Sequence, residues 1–153
     1  MKKPPKPSAL EDHLGFWLRY VSNHVSQSFG AKMAGQGISI AEWALLRVLY
    51  DSNAVAPSEA AARLGLTRGA VSKLTDKLVA KSFITRKTGE KDRRYQVLSL
   101  SSAGRQLVLR LAALADENDA AFFGHLKPAQ RAALKKIMQD MVSRFGLAEI
   151  PTE

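Results

Sequence analysis

The chain has 153 residues, 46% of them apolar and 24% charged, and its 23 Lys plus Arg outweigh 14 Asp plus Glu for a formal net charge of +9. This is ordinary globular composition, long enough for one domain to bury a core without staples, and too apolar for whole-chain disorder. Cys is absent, which excludes a disulfide framework, thiolate metal sites and thiol chemistry and fits a reducing compartment.

The first seven residues, Met1-Lys2-Lys3-Pro4-Pro5-Lys6-Pro7, are basic and Pro-rich. They are expected to form a flexible basic tail (residues 1–7). No apolar h-region follows and no run of 18 apolar residues occurs. Neither a signal peptide nor a membrane span is expected, and the expected location is cytoplasmic. Ser8 with Glu11 has capping-box spacing. Leu10, Leu14, Trp17, Leu18, Val21, Val25 and Phe29 then recur at helical spacing, and Gly30, Gly35 and Gly37 mark the end. Ser39 with Glu42 predicts a second helix carrying Trp43, Leu46 and Leu49 to about Tyr50, before an Asp51-Ser52-Asn53 turn.

Pro57 opens a short Ala-rich third helix that Gly65 ends, and Thr67 caps the next. Val71, Leu74 and Leu78 form the fourth helix's inward stripe. Arg68, Gly69, Ser72, Lys73, Asp76 and Lys77 lie on its other side. Phe83 to Arg86 reads as a strand, Lys87 to Arg93 as a polar turn, and Tyr95 to Leu100 as the return strand. Helix resumes after Ser101-Ser102, with Leu107, Leu111, Leu114 and Phe122. A last helix starts at Pro128 and carries Leu134, Ile137, Met138, Met141, Val142 and Phe145 up to Gly146.

The positive charge is localised. Residues 63–95 hold ten Lys or Arg against three acidic residues, a net of +7, while the flanking segments carry +1 each. Such a block is the electrostatic footprint of a polyanion binder. Leading into and through it the order is helix, short helix, Gly turn, capped helix, basic hairpin. Two helices joined at Gly65-Leu66 can cross steeply and present the second one, N-terminus first, to a DNA major groove. Small residues at its start allow close approach, and the helix N-terminus favours phosphate. The candidate DNA contacts are Thr67, Arg68, Gly69, Ser72, Lys73, Lys77, Arg86, Lys91, Arg93 and Arg94. Asp76 is expected at the groove edge, paired with Lys73 or Lys77.

Pro57-Ser58-Glu59, Leu64-Gly65-Leu66-Thr67, Val71-Ser72 and Lys91-Asp92-Arg93-Arg94, followed by Leu98 to Gly104, stand in an order that resembles the MarR family of bacterial and archaeal regulators. The resemblance implies a mainly α (α+β) winged helix-turn-helix fold with flanking dimerisation helices. It implies a homodimer built on residues 8–32 and 101–147, the N- and C-terminal helices packed together, with a DNA-binding lobe over 38–100. It further implies that Asp92 stabilises the wing by pairing with Arg94, and that Arg93 or Arg94 enters the minor groove. Lys127 before Pro128 departs from an expected Ser or Thr cap. Leu10, Leu14, Leu134, Met138, Met141 and Phe145 are the candidate interface residues, because the wide apolar stripes at both ends exceed what one small chain covers.

Trp17, His24, Trp43 and Arg47 are the candidate pocket for a small aromatic or anionic effector, such as the family binds between dimer base and DNA lobe; a plain core role for each Trp is the competing reading. His13 and His24 lie about 16 Å apart along a helix, too far for one metal ion. No catalytic motif occurs, adjacent carboxylates point apart on a helix, and neither enzyme activity nor a cofactor is expected. The expected function is a transcription regulator: a homodimeric repressor on a palindromic operator in double-stranded DNA, released by the effector. The alternative is an architectural protein that coats DNA without sequence choice. A membrane partner is disfavoured, since no apolar wedge lies beside the basic residues.

Overall fold

The computed structural model describes residues 6–89, 96–148 and 152. Its elements are α1 (Leu14–Gly35), α2 (Ile40–Ser52), α3 (Pro57–Leu64), α4 (Arg68–Ala80), β1 (Ile84–Thr88), β2 (Gln96–Leu100), α5 (Ser102–Phe123) and α6 (Pro128–Phe145). The fold is the expected winged helix, with six α-helices and one two-stranded antiparallel sheet among the described residues. Among the described residues no helix is long and apolar enough to cross a membrane.

Local chemistry explains most of the boundaries. At α2 the Ser39 Oγ accepts from the Glu42 N–H at 3.1 Å, and the Glu42 carboxylate accepts from the Ser39 N–H at 2.7 Å. Gly65 stops α3 in the left-handed region (φ 62°), and Thr67 Oγ1 accepts from the Ala70 N–H to start α4. The first capping box differs from expectation. Asp12, not Glu11, takes the free amide, accepting from the Ala9 N–H at 2.9 Å. The carboxylate three residues after Ala9 is the one in reach, so a 3-10 turn over Leu10–Asp12 precedes α1. α2 also runs two residues past Tyr50, to Ser52, and Asn53 takes the left-handed φ that ends it. Before α6, the Gln130 side chain accepts from the Lys127 N–H at 2.9 Å, which caps the helix without a Ser or Thr.

α2 is the buried centre. Leu45, Leu46 and Leu49 are fully enclosed by Met33 of α1, Leu64 of α3, Val71 and Leu78 of α4, Leu98 of β2, and Leu107 and Leu111 of α5. Each enclosed Leu contributes about 1.5–3 kcal/mol by leaving water. Polar bonds fix α1 on α5: buried Asn118 accepts from Ser28 Oγ at 2.7 Å and donates to the Val25 carbonyl at 3.2 Å. α6 is different, for no residue of it is buried within the single chain. An ion pair from Arg131 to Asp119 ties it to α5.

The hairpin pairs Ile84 with Leu100 and Thr88 with Gln96, so the first strand starts one residue later and ends two residues later than expected. Val55 adds a short third edge through two backbone bonds to Leu98, 3.0 and 2.8 Å. The base of the hairpin is clamped to α5. Ser101 Oγ donates to the Ser82 carbonyl at 2.7 Å and accepts from the Gly104 N–H at 2.9 Å. A Cβ on Gly104 would fall on the Phe83 carbonyl oxygen, well inside van der Waals contact. Gly104→Ala is therefore expected to force the hairpin off α5 and to destabilise the chain by about 1–3 kcal/mol in urea unfolding.

Candidate nucleic-acid interface

α3 and α4 pack on each other, and Ala60, Ala61 and Leu64 of the first and Val71 and Leu78 of the second are buried. The inner side of α4 is thereby used up. Its outer side leaves Thr67, Arg68, Gly69, Ser72, Lys73 and Lys77 exposed along one face. The structure brings these six together at and after the N-terminus of α4, where partial positive charge from unpaired amides adds to the side chains. A Cβ at Gly69 would meet nothing within 4 Å. The absence of a side chain there is not required by packing and leaves the helix surface low.

Two ion pairs link α4 to the rest. Asp76 pairs with Arg86 of β1 at 2.6 Å, instead of with Lys73 or Lys77 as expected. The pair crosses from helix to strand because β1 passes alongside α4, a juxtaposition that sequence spacing does not reveal. Arg86 consequently reaches the interface with its charge already balanced, while Lys87 beside it is exposed. Lys91, Asp92, Arg93 and Arg94 lie outside the described residues.

The second pair joins an exposed lysine to a buried carboxylate. Lys81 follows the last residue of α4, and its Nζ donates to Glu42 Oε1 at 2.9 Å and to the Gly37 carbonyl at 2.8 Å. Glu42 is 4% exposed. Burial raises its pKa, but the hydrogen bonds from Lys81 and the Ser39 amide, with the Lys81 charge, outweigh that and hold it below the ordinary carboxylate value. A lowered folded pKa means that the stabilisation is complete above the unfolded value, about 4.5, and is lost as pH falls through the lower folded one.

A cavity of about 620 Å³ lies along the outer side of α2, lined by Phe29, Ile40, Trp43, Arg47, Arg63 and Ala148 among others. Arg47 stacks over Trp43 and Tyr50, 5.8 and 5.3 Å from the ring centres, and is held by Asp51 at 3.0 Å. Of the four residues expected at such a pocket, Trp43 and Arg47 line it. Trp17 and His24 lie elsewhere: the Trp17 Nε1 donates to the Glu11 carbonyl at 2.9 Å, and His24 sits 5.0 Å from Tyr20. Phe29 is the α1 aromatic that faces the cavity, rotated about 120–140° around the helix from Trp17 and His24. Arg63 escapes a reading of the sequence because it stands only as one charge among ten; its reach to Ser52 Oγ, 2.6 Å, crosses between two helices. The expected interface residues Leu10, Leu14, Leu134, Met138, Met141 and Phe145 are all exposed, from 38% for Leu134 to 87% for Leu14.

Residues 36–94 match the model of the MarR family. The chain is 31% identical over 93 residues to the transcriptional regulator PapX of Escherichia coli, a match that covers 60% of this chain and 54% of PapX. Its fold is similar to that of BpsR from Bordetella bronchiseptica, whose DNA binding is regulated by 6-hydroxynicotinic acid (TM-score 0.74, 22% identity, 89% of this chain and 97% of that one). It is also similar to a mutant MarR from E. coli complexed with operator DNA (TM-score 0.72, 18% identity, 84% and 93% covered).

Two outcomes follow. Glu42→Gln is expected to lower stability near neutral pH by about 1–2 kcal/mol, and the gap to the parent chain should close in melts taken progressively below pH 4.5. Gly69→Ala should raise the melting temperature, since Ala is favoured in helices by about 0.5–1 kcal/mol, yet weaken duplex binding by titration.

Proposed function

We infer that this chain, of the MarR family across its winged lobe, is a DNA-binding transcription regulator: a homodimeric repressor that occupies a palindromic operator and is released by a small aromatic or anionic ligand. The observation that carries the reading is the exposed basic face of α4, presented N-terminus first beyond the Gly65 turn. That is the arrangement by which a helix enters a major groove.

The other parts have separate supports. A dimer is favoured by the uncovered apolar side chains of α1 and α6, among them Leu14, Trp17, Leu18, Ile137, Met141 and Phe145. α6 is about 27 Å long at 1.5 Å per residue, enough to carry much of a standard interface. Two-fold symmetry in the protein matches two-fold symmetry in the site. Repression follows most simply from occupancy, since a bound dimer blocks polymerase sterically. Effector release is supported by the cavity, whose Trp43, Phe29 and Arg47 suit a planar anion. A ligand there acts by favouring a dimer whose recognition helices no longer fit successive grooves. The domain roles follow: α1, α5 and α6 as the dimer base, and residues 38–100 as the lobe that reads DNA.

Selection from a random duplex pool at near-physiological salt tests this. The expected result is a two-fold symmetric motif with half-sites about one helical turn apart, preferred by roughly 10³-fold or more over random DNA. Binding without an enriched motif would instead establish the architectural reading.

A further inference from the structure

α2 serves two places at once. Ile40, Trp43, Arg47 and Asp51 recur along its outer side and wall the cavity. Its start is bonded to the end of α4, and the segment after its end to α5 and β2. At the start, Glu42 uses one carboxylate oxygen to cap α2 and the other to receive Lys81 from the end of α4. At the far end, Arg105 donates to Asn53 Oδ1 at 2.8 Å, and Val55 is paired with Leu98 of β2. Apolar contacts between α2 and α4 are non-directional and tolerate sliding. The Lys81 bonds are directional. They engage a carboxylate that is nearly enclosed, and Lys81 also grips the Gly37 carbonyl just before α2. Displacing α4 without α2 would strand that carboxylate without its cation, which is strongly unfavourable.

We propose that Lys81 is a positioning residue that locks the recognition helix to the cavity wall, so that DNA on α4 is felt at Trp43 and a ligand beside Trp43 is felt at α4. The two directions are one coupling free energy, so either can be measured in place of the other. This rests on α4 being the DNA-binding helix. Trp43 immediately follows Glu42 and is a natural reporter.

The test uses the full chain carrying Trp17→Phe, which leaves Trp43 as its sole Trp. Acrylamide quenching and the emission maximum are read with and without saturating duplex from the selection, or random-sequence duplex if no motif is enriched; fluorescence anisotropy of labelled DNA confirms occupancy. DNA is expected to shift both Trp43 signals. The shift should be lost in Lys81→Met and restored in Lys81→Arg. Because Lys81→Met strands a buried carboxylate, the double variant Glu42→Gln/Lys81→Met is made alongside. Its side-chain amide oxygen can still accept from the Ser39 N–H and keep the cap, and the same loss is expected. A shift that survives in the double variant, or no shift in the parent despite bound DNA, overturns the coupling and leaves the DNA-binding reading intact. Failure of any duplex to bind removes both.

Discussion

One carboxylate has to be in two places. Glu42 ends the free amides at the start of α2 and neutralises a lysine at the end of α4, and it does so while almost fully enclosed. Such a group is tolerable only if both oxygens stay engaged. The pair requires the start of α2 to lie beside the end of α4, and the turn at Gly65 lets α4 run there. The apolar core around Leu45, Leu46 and Leu49 supplies most of the stabilisation. The ion pair supplies the register in which that core closes.

The basic block means something narrower in three dimensions than along the chain. Of its ten cations, Arg63 is paired with Glu59, Lys81 with Glu42 and Arg86 with Asp76. The first and last pairs are solvent-exposed and weak, but they still aim their side chains. What remains on the face of α4 is a compact set, Arg68, Lys73 and Lys77, of which Arg68 stands in the first turn, where the helix dipole has the same sign. A polyanion thus meets a directed patch, and the number of phosphates neutralised sets how steeply binding falls with salt.

Much of the lobe is legible because it is written in short-range chemistry. Ser39 with Glu42, Gly65, Thr67 and Ser101 with Gly104 each act within three residues of one another, and spacing alone locates such caps. What spacing does not carry is which helix face meets which neighbour. Asp76 has two lysines within helical reach and takes Arg86, ten residues on, because β1 runs alongside. The cavity takes Phe29 and Arg63 rather than Trp17 and His24 for the same kind of reason: residue type suggests aromatics and cations, but the rotation of α1 decides which of them faces inward. Even a local feature is ambiguous where two carboxylates compete, Glu11 and Asp12 being adjacent and only one in range of Ala9.

α6 has 18 residues and buries none of them within its own chain. A helix of that length tied to its own chain by an exposed ion pair and no buried side chain is only marginally ordered in water. Its order must therefore be borrowed from whatever covers it. If that cover is a second copy, helical content becomes a function of dilution, and the folded state and the assembled state cease to be separate quantities. A cell holding few copies would then keep part of this protein not merely monomeric but partly unwound, with an apolar helix open to proteases. Abundance itself would act as a control on how much competent regulator exists.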